Sequence, residues 1–251
     1  MKKDETIIPY IMYSAQSAGY VEYSCHLNNL VDYLNEITED KFKLKKCIEE
    51  KVKDIPEFRT KQWPSLHCFG TYRVLLYSLI RELRPEIIIE TGVLHGLSSA
   101  FYLQALEKNS FGKLISIDFP SIDKPSGEDM SKDILPYGCK SGWIVPTHLH
   151  KRWNLILGKT ENILPQILSE KNKLGIFIHD SDHTWDNMMF ELSYAWKYLV
   201  RGGFLICDNI DWLNRERPFE VFAETINRNP IKIRSGMPPH CNKWRFGIIQ
   251  K

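Results

Sequence analysis

Two short stretches concentrate side chains that hold hard cations or move protons. In GIFIHDSDHTW the apolar run Ile176, Phe177 and Ile178 gives way to His179, Asp180, Asp182 and His183. In GFLICDNIDW the run Phe204 to Cys207 ends in Asp208 and Asn209, with Asp211 two residues further on. A short apolar run closed by polar residues reads as a buried strand reaching an edge of its sheet. Tips of adjacent strands lie about 4.8 Å apart, so Asp180, Asp208 and Asn209 can share one ion. Two carboxylates and an amide oxygen are hard donors, suited to Mg²⁺ rather than zinc. About three more oxygens have to come from water or substrate, and two vicinal substrate hydroxyls would fill that need and be acidified. His183 is the candidate general base, since a free imidazole titrates near 6.5. The plainer reading makes Asp182 and Asp211 loop acids and packs His179 into its strand end.

A third stretch, ETGVLHGLSS, carries Glu90, Gly92, Gly96 and Ser98. Gly92 permits a tight turn with room for a ligand beside the backbone. The helix that follows offers free N–H groups and a positive dipole to an anion. The spacing is not GxGxxG, which a nicotinamide or flavin pyrophosphate needs. An acid at the strand tip repels a pyrophosphate, whereas Glu90 can hold an ammonium group. A ligand with both ammonium and carboxylate, such as the methionine part of S-adenosylmethionine, fits better. Asp118 ends the run KLISID and can accept hydrogen bonds from both hydroxyls of a ribose. Lys159 and Thr160, after Gly158, fall where the adenine edge would lie. The plainer reading leaves the glycines to their turns and Asp118 to solvent.

The elements that must position these residues alternate. TYRVLLYSLIREL reads as a helix stopped by Pro85, and EIIIE (86 to 90) as a buried strand. SSAFYLQALEKN follows as a helix with Ser98 or Ser99 as cap. KLISID (113 to 118) and WNLILG (153 to 158) are the next strands, and NILPQILSE is the helix behind them. LGIFIHD (174 to 180) leads to the helix MMFELSYAWKYLV, whose Met189, Leu192, Trp196 and Leu199 are expected to face the sheet. GGFLICD is a fifth strand. IKIRSG and KWRFGIIQ close the chain as an antiparallel pair with no helix between them. The expectation is a Rossmann-like, doubly wound α/β fold: a mainly parallel seven-stranded sheet with an antiparallel C-terminal strand.

Two segments stand outside that alternation. Residues 119 to 152 are too many for a simple connection, so a lid or substrate element is expected there. In it Trp143, His148 and His150 either touch substrate or serve structure; Trp212 either stacks on a ring or packs in the core. Residues 1–60, with the amphipathic runs LNNLVDYLNEI and KFKLKKCIEEKVKDI, read as a helical cap or an oligomerisation segment. Residues 61–251 form the domain that carries the site.

With 251 residues, 43% of them hydrophobic and 25% charged, the chain can bury a full core. Its 33 basic and 31 acidic residues leave a formal charge of +2, which gives no ground for a nucleic-acid or membrane partner. The six cysteines are scattered without a CxxC pair, as in a reduced, cytoplasmic protein. The start, MKKDETIIPYIMY, is too short in apolar residues for a signal peptide. No apolar run approaches the roughly 20 residues of a membrane span.

The runs ETGVLHGLSSAFYL, ISIDFP, GWIVPTHLHKRWNLILGKTENILP and FIHDSDHTWDNMMFELSYAWKYLVRGGFLICDNIDW together resemble class I S-adenosylmethionine-dependent methyltransferases. The nearest group is methyltransferase family 24, with the cephalosporin 7-methoxylation proteins among its relatives. A second resemblance is to catechol and caffeoyl-CoA O-methyltransferases. There an acid after strand four and an Asp-Asn pair after strand five hold a divalent cation, matching Asp180, Asp208 and Asn209. His183 stands where the catechol enzymes place a lysine base. The resemblance implies that Glu90, Gly92, Gly96 and Ser98 line the methionine end of the cofactor. It puts Asp118 on the ribose and Lys159 and Thr160 near adenine, with Asp180 reaching cofactor as well as metal. The expected activity is O-methylation of a small hydroxylated molecule with Mg²⁺. A metal-dependent hydrolase built on HDSDH, a nicotinamide oxidoreductase and a catalytically silent cofactor-binding scaffold are the competing readings.

Overall fold

The computed structural model describes residues 71–119, 135, 138–170, 173–210, 217–234 and 244–251, with isolated helical positions between 32 and 53. The elements are α1 (Thr71–Leu83), β1 (Ile87–Thr91), α2 (Leu97–Asn109), β2 (Lys113–Asp118), a 3₁₀ turn (Thr147–Arg152), β3 (Trp153–Leu157) and α3 (Thr160–Glu170). They continue with β4 (Leu174–His179), α4 (Trp185–Tyr198), β5 (Leu199–Asp208), α5 (Pro218–Thr225), β6 (Ile231–Arg234) and β7 (Trp244–Gln250). All seven expected strands form. They make one sheet in the order β3-β2-β1-β4-β5-β7-β6, parallel through β5 and antiparallel at both β7 contacts. The order reverses between β1 and β4, which is where an open α/β sheet opens a crevice at its carboxyl edge.

β-Branched and aromatic side chains alternate between the faces and so fill two cores. Ile88, Leu114, Ile176, Ile178 and Ile206 pack against α1 and α2. Ile89, Ile117, Phe177, Leu205 and Cys207 pack against α3, α4 and α5.

Three local expectations are corrected. The helix α5 was not foreseen, although Pro218 in its first turn and Phe219 and Phe222 on its buried face mark it. On α4 the buried stripe is Met188, Glu191, Leu192 and Ala195; Met189 and Trp196 are only partly covered and Leu199 already belongs to β5. Leu192 faces the sheet as expected, and the rest of the stripe differs because Glu191, a charged residue, takes a buried position while apolar Met189 and Trp196 stay partly exposed. Neither Ser98 nor Ser99 caps α2. The N-cap is Gly96 at φ 90°, with no side-chain hydrogen bond to the helix end.

Of the N-terminal segment, Ile37 and Leu44 are buried in the α1/α2 core. Arg81 donates to Glu36 from Nε at 2.6 Å and from Nη2 at 3.0 Å. Lys51 Nζ donates to the carbonyls of Trp143 at 3.0 Å and Val145 at 2.5 Å. No helix among the described residues is long and apolar enough to cross a membrane.

Candidate active site

Main-chain bonds tie the strand tips into one edge. Gly92 N–H donates to Ile117 O (2.9 Å), Gly158 N–H to Asp118 O (2.9 Å) and Asp180 N–H to Thr91 O (2.9 Å). His179 and Cys207 are register partners on β4 and β5, so Asp180 and Asp208 follow side by side. The edge therefore brings together Gly92, Asp118, Gly158, Asp180 and Asp208.

Gly92 is required by the protein rather than by ligand room. A Cβ there would lie 1.9 Å from the Asp180 carbonyl oxygen, and its φ is +82°. A Cβ on Gly96 would meet Val145 Cγ2 at 2.7 Å and Gly142 Cα at 2.8 Å. Segment 141–146 thus lies on the glycine turn. It is held by Gly142 N–H to Leu94 O (2.7 Å) and Ile144 N–H to His95 O (3.2 Å). Trp143 Nε1 donates to His95 Nδ1 at 3.0 Å. Indole N–H is a donor only, so His95 carries its proton on Nε2. Burial pushes the His95 pKa down to about 4, which keeps the ring neutral.

Glu90 is 2% exposed, and its Oε1 accepts hydrogen bonds from Ser99 and Ser116, both at 2.5 Å. Trp153 Nε1 donates to Ser116 Oγ at 2.7 Å, completing the cluster. Burial lifts the Glu90 pKa to about 7, with the nearby Asp118 adding to the rise and the two hydroxyls opposing it. An ammonium ligand was expected at this residue; the structure places it beneath the turn, braced by two hydroxyls. Asp118 is 9% exposed, and its Oδ1 accepts from Val93 N–H at 3.3 Å. Its Oδ2 is shielded from solvent and has no hydrogen-bond partner. Beside it, Phe119 and Leu157 are exposed, at 64% and 55%, on the ends of β2 and β3.

The other cofactor candidates are spread along this edge. Ser98 is the second residue of α2 and accepts from Arg73 Nε at 3.0 Å. Thr160 opens α3. Lys159 is exposed, with a loose 3.7 Å ion pair to Glu161.

At the acidic end, Asp208 is 2% exposed and its Oδ1 accepts the N–H of Asn209 at 2.6 Å. Asn209 takes φ +53°, turning the chain immediately after β5. Among the described residues no three His, Cys, Asp or Glu side chains gather as a metal cluster. The expected set is of another kind, two carboxylates and one amide.

The dense HDSDH run is divided between roles. His179 is fully buried, with Nδ1 2.7 Å from Glu191 Oε2. Asp182 accepts from the Thr184 N–H (3.2 Å) and hydroxyl (3.0 Å) ahead of α4. His183 is half-buried, edge-on to the His179 ring at 5.2 Å between centroids. Glu191, missed in the sequence, also accepts from Thr91 Oγ1 (2.5 Å) and Ser181 Oγ (2.8 Å). Burial would raise its pKa, but the His179 ring and these hydroxyls outweigh that and hold it below the usual carboxylate range. Its signal was an acid within the apolar stripe Met188–Leu192–Ala195. In the long segment, His148 is exposed and the His150 ring lies edge-on to Trp153 at 5.4 Å. Asp211 and Trp212 lie outside the described residues.

Residues 89–210 match the family described as "Methyltransferase domain", methyltransferase family 24. Several solved structures share the fold. One is the O-methyltransferase from Bacillus cereus in complex with S-adenosylhomocysteine (17% identity, 82% of this chain and 91% of that one, TM-score 0.56). Another is TomG, the Streptomyces achromogenes O-methyltransferase of tomaymycin synthesis, with S-adenosylmethionine (15%, 82% and 88%, TM-score 0.53). A third is the S-adenosylhomocysteine-bound methyltransferase PaMTH1 from Podospora anserina (13%, 82% and 86%, TM-score 0.50). No curated protein matches the chain by sequence. Residues 89–210 are thus similar to methyltransferase family 24, and the seven-stranded sheet is the fold that these solved structures share.

Proposed function

We propose that this chain is an S-adenosylmethionine-dependent O-methyltransferase acting on a small hydroxylated molecule, with a divalent cation at Asp180, Asp208 and Asn209. The observation that carries the cofactor reading is Asp118 Oδ2, a buried carboxylate oxygen without a partner at the glycine turn. Such an oxygen is costly unless a ligand supplies a donor, and a ribose hydroxyl is a donor. Phe119 and Leu157, exposed beside it, offer apolar cover to a purine. The cofactor supplies an electrophilic methyl group on a sulfonium sulfur. Asp118 orients the nucleoside, the α2 end and Ser98 receive the amino-acid end, and Glu90 braces the turn from below. His183 takes the acceptor's proton at one of its ring nitrogens, its ring packed edge-on against His179. A cation at Asp180, Asp208 and Asn209 would acidify the acceptor hydroxyl, and their hard oxygens on adjacent strand tips suit it.

Against the hydrolase reading, His179 and Asp182 are already engaged in structure, so HDSDH does not act as one cluster. The cation is tested by titrating Mg²⁺ into the S-adenosylhomocysteine complex of wild type and of Asp208→Ala. Binding seen in wild type and lost in the variant supports it. Absence of binding in wild type removes the metal from the mechanism.

A further inference from the structure

Asp118 Oδ2 is not the only polar atom left unanswered at the glycine turn. Ser141 is 5% exposed, and its Oγ is buried without a hydrogen-bond partner. The residue is fixed at the turn by its neighbour Gly142, whose N–H donates to Leu94 O at 2.7 Å. Gly142 also abuts Gly96, the N-cap of α2, since a Cβ on Gly96 would lie 2.8 Å from Gly142 Cα. That N-cap is a glycine, which has no side chain to bond the first N–H groups of α2. Two independent features therefore lie close in the fold: the glycine-capped start of α2 and, on the residue before Gly142, a buried hydroxyl without a partner. Asp118 lies at the other end of the same turn, bonded to Val93 N–H.

We propose that Ser141 is a cofactor-binding residue, its hydroxyl donating to the carboxylate of the cofactor's amino-acid end while Asp118 holds the ribose. This rests on the S-adenosylmethionine reading above. The chemistry is complementary. An acid needs a donor and finds one in a sugar hydroxyl; a hydroxyl beside a helix N-terminus needs an acceptor and finds one in a carboxylate. Segment 141–146, read in the sequence as part of a lid or substrate element, would then be a wall of the cofactor site. Lys51, donating to the carbonyls of Trp143 and Val145, braces that wall.

The test compares S-adenosylhomocysteine with 5′-methylthioadenosine, which keeps the nucleoside and lacks the amino-acid end. Both are titrated into wild type and Ser141→Ala, and the thermal midpoint of each free protein is recorded. Removing a hydrogen bond to a charged group should weaken S-adenosylhomocysteine roughly tenfold or more. Methylthioadenosine affinity should stay within about twofold, and the free variant's midpoint should be equal or higher, because a buried unsatisfied hydroxyl has been removed. A merely structural serine would instead lower the midpoint. Unchanged S-adenosylhomocysteine affinity overturns the proposal, as does an equal loss for both ligands. If wild type binds neither ligand, the methyltransferase cofactor reading itself falls.

Discussion

Glu90 and Asp118 end neighbouring strands on the same face of the sheet, yet their surroundings give them different tasks. Glu90 is sealed beneath the turn with two serine hydroxyls, and its pKa rises to about 7. In the folded chain it keeps its proton to about pH 7, whereas an unfolded glutamate releases it near 4.5. The folded state binds the extra proton in that window, so this residue's stabilisation is present at low pH and is lost as pH rises from about 4.5 to about 7. The whole swing is on the order of 3 kcal/mol. Glu90→Gln keeps an oxygen for the hydroxyls and cannot ionise. Its thermal midpoint should therefore fall less than that of wild type between pH 5 and pH 8; parallel curves would place the Glu90 proton elsewhere. The acid at 90 was visible in ETGVLHG, but its burial was not. That depends on Ser99 and Ser116, which reach it from a different helix and strand.

At the scale of elements, the strand tips are joined by contacts with no tolerance for added atoms. Gly92→Ala would drive a Cβ into the Asp180 carbonyl at 1.9 Å and strain a φ of +82°. It should cost upwards of about 2 kcal/mol and abolish S-adenosylhomocysteine binding. A variant with wild-type midpoint and affinity would show that the tips of β1 and β4 can separate freely. Glu191 ties Thr91 of β1, His179 of β4 and Ser181 of the following loop to α4. Glu191→Ala would strand a buried imidazole and two hydroxyls, costing about 3 kcal/mol or more. Chemical unfolding measures this, and a loss below about 1 kcal/mol would mean that the network is dispensable. The strands were legible because buried parallel strands are short, β-branched and separated by helices. The helix α5 and the Gly96 cap were not, since α5 spans only 8 residues and the cap has no side-chain signal. The register of α4 slipped because Trp196 and Met189 are apolar yet only partly covered, while the buried position belongs to charged Glu191.

Across the whole molecule, the N-terminal segment and the long connection were read as separate appendages, and Lys51 of the first bonds to Trp143 and Val145 of the second. Ile37 and Leu44 enter the core beside α1 and α2, and Lys51 bonds to the segment that lies on the glycine turn. Such long-range contacts leave no periodic trace in sequence. Removal of residues 1–60 is expected to lower the thermal midpoint and weaken S-adenosylhomocysteine binding together. Lys51→Met, which keeps the apolar stem, should weaken binding by several-fold with a smaller change in midpoint. Equal binding in full-length and truncated proteins would separate the segment from the site.

The most direct measurement is a calorimetric titration of S-adenosylhomocysteine into wild type and Asp118→Asn, with chelator present. One-to-one binding to wild type, weakened at least about tenfold in the variant, is the result expected if the partnerless carboxylate oxygen awaits a ribose. No binding to wild type, or equal binding to both proteins, would contradict it.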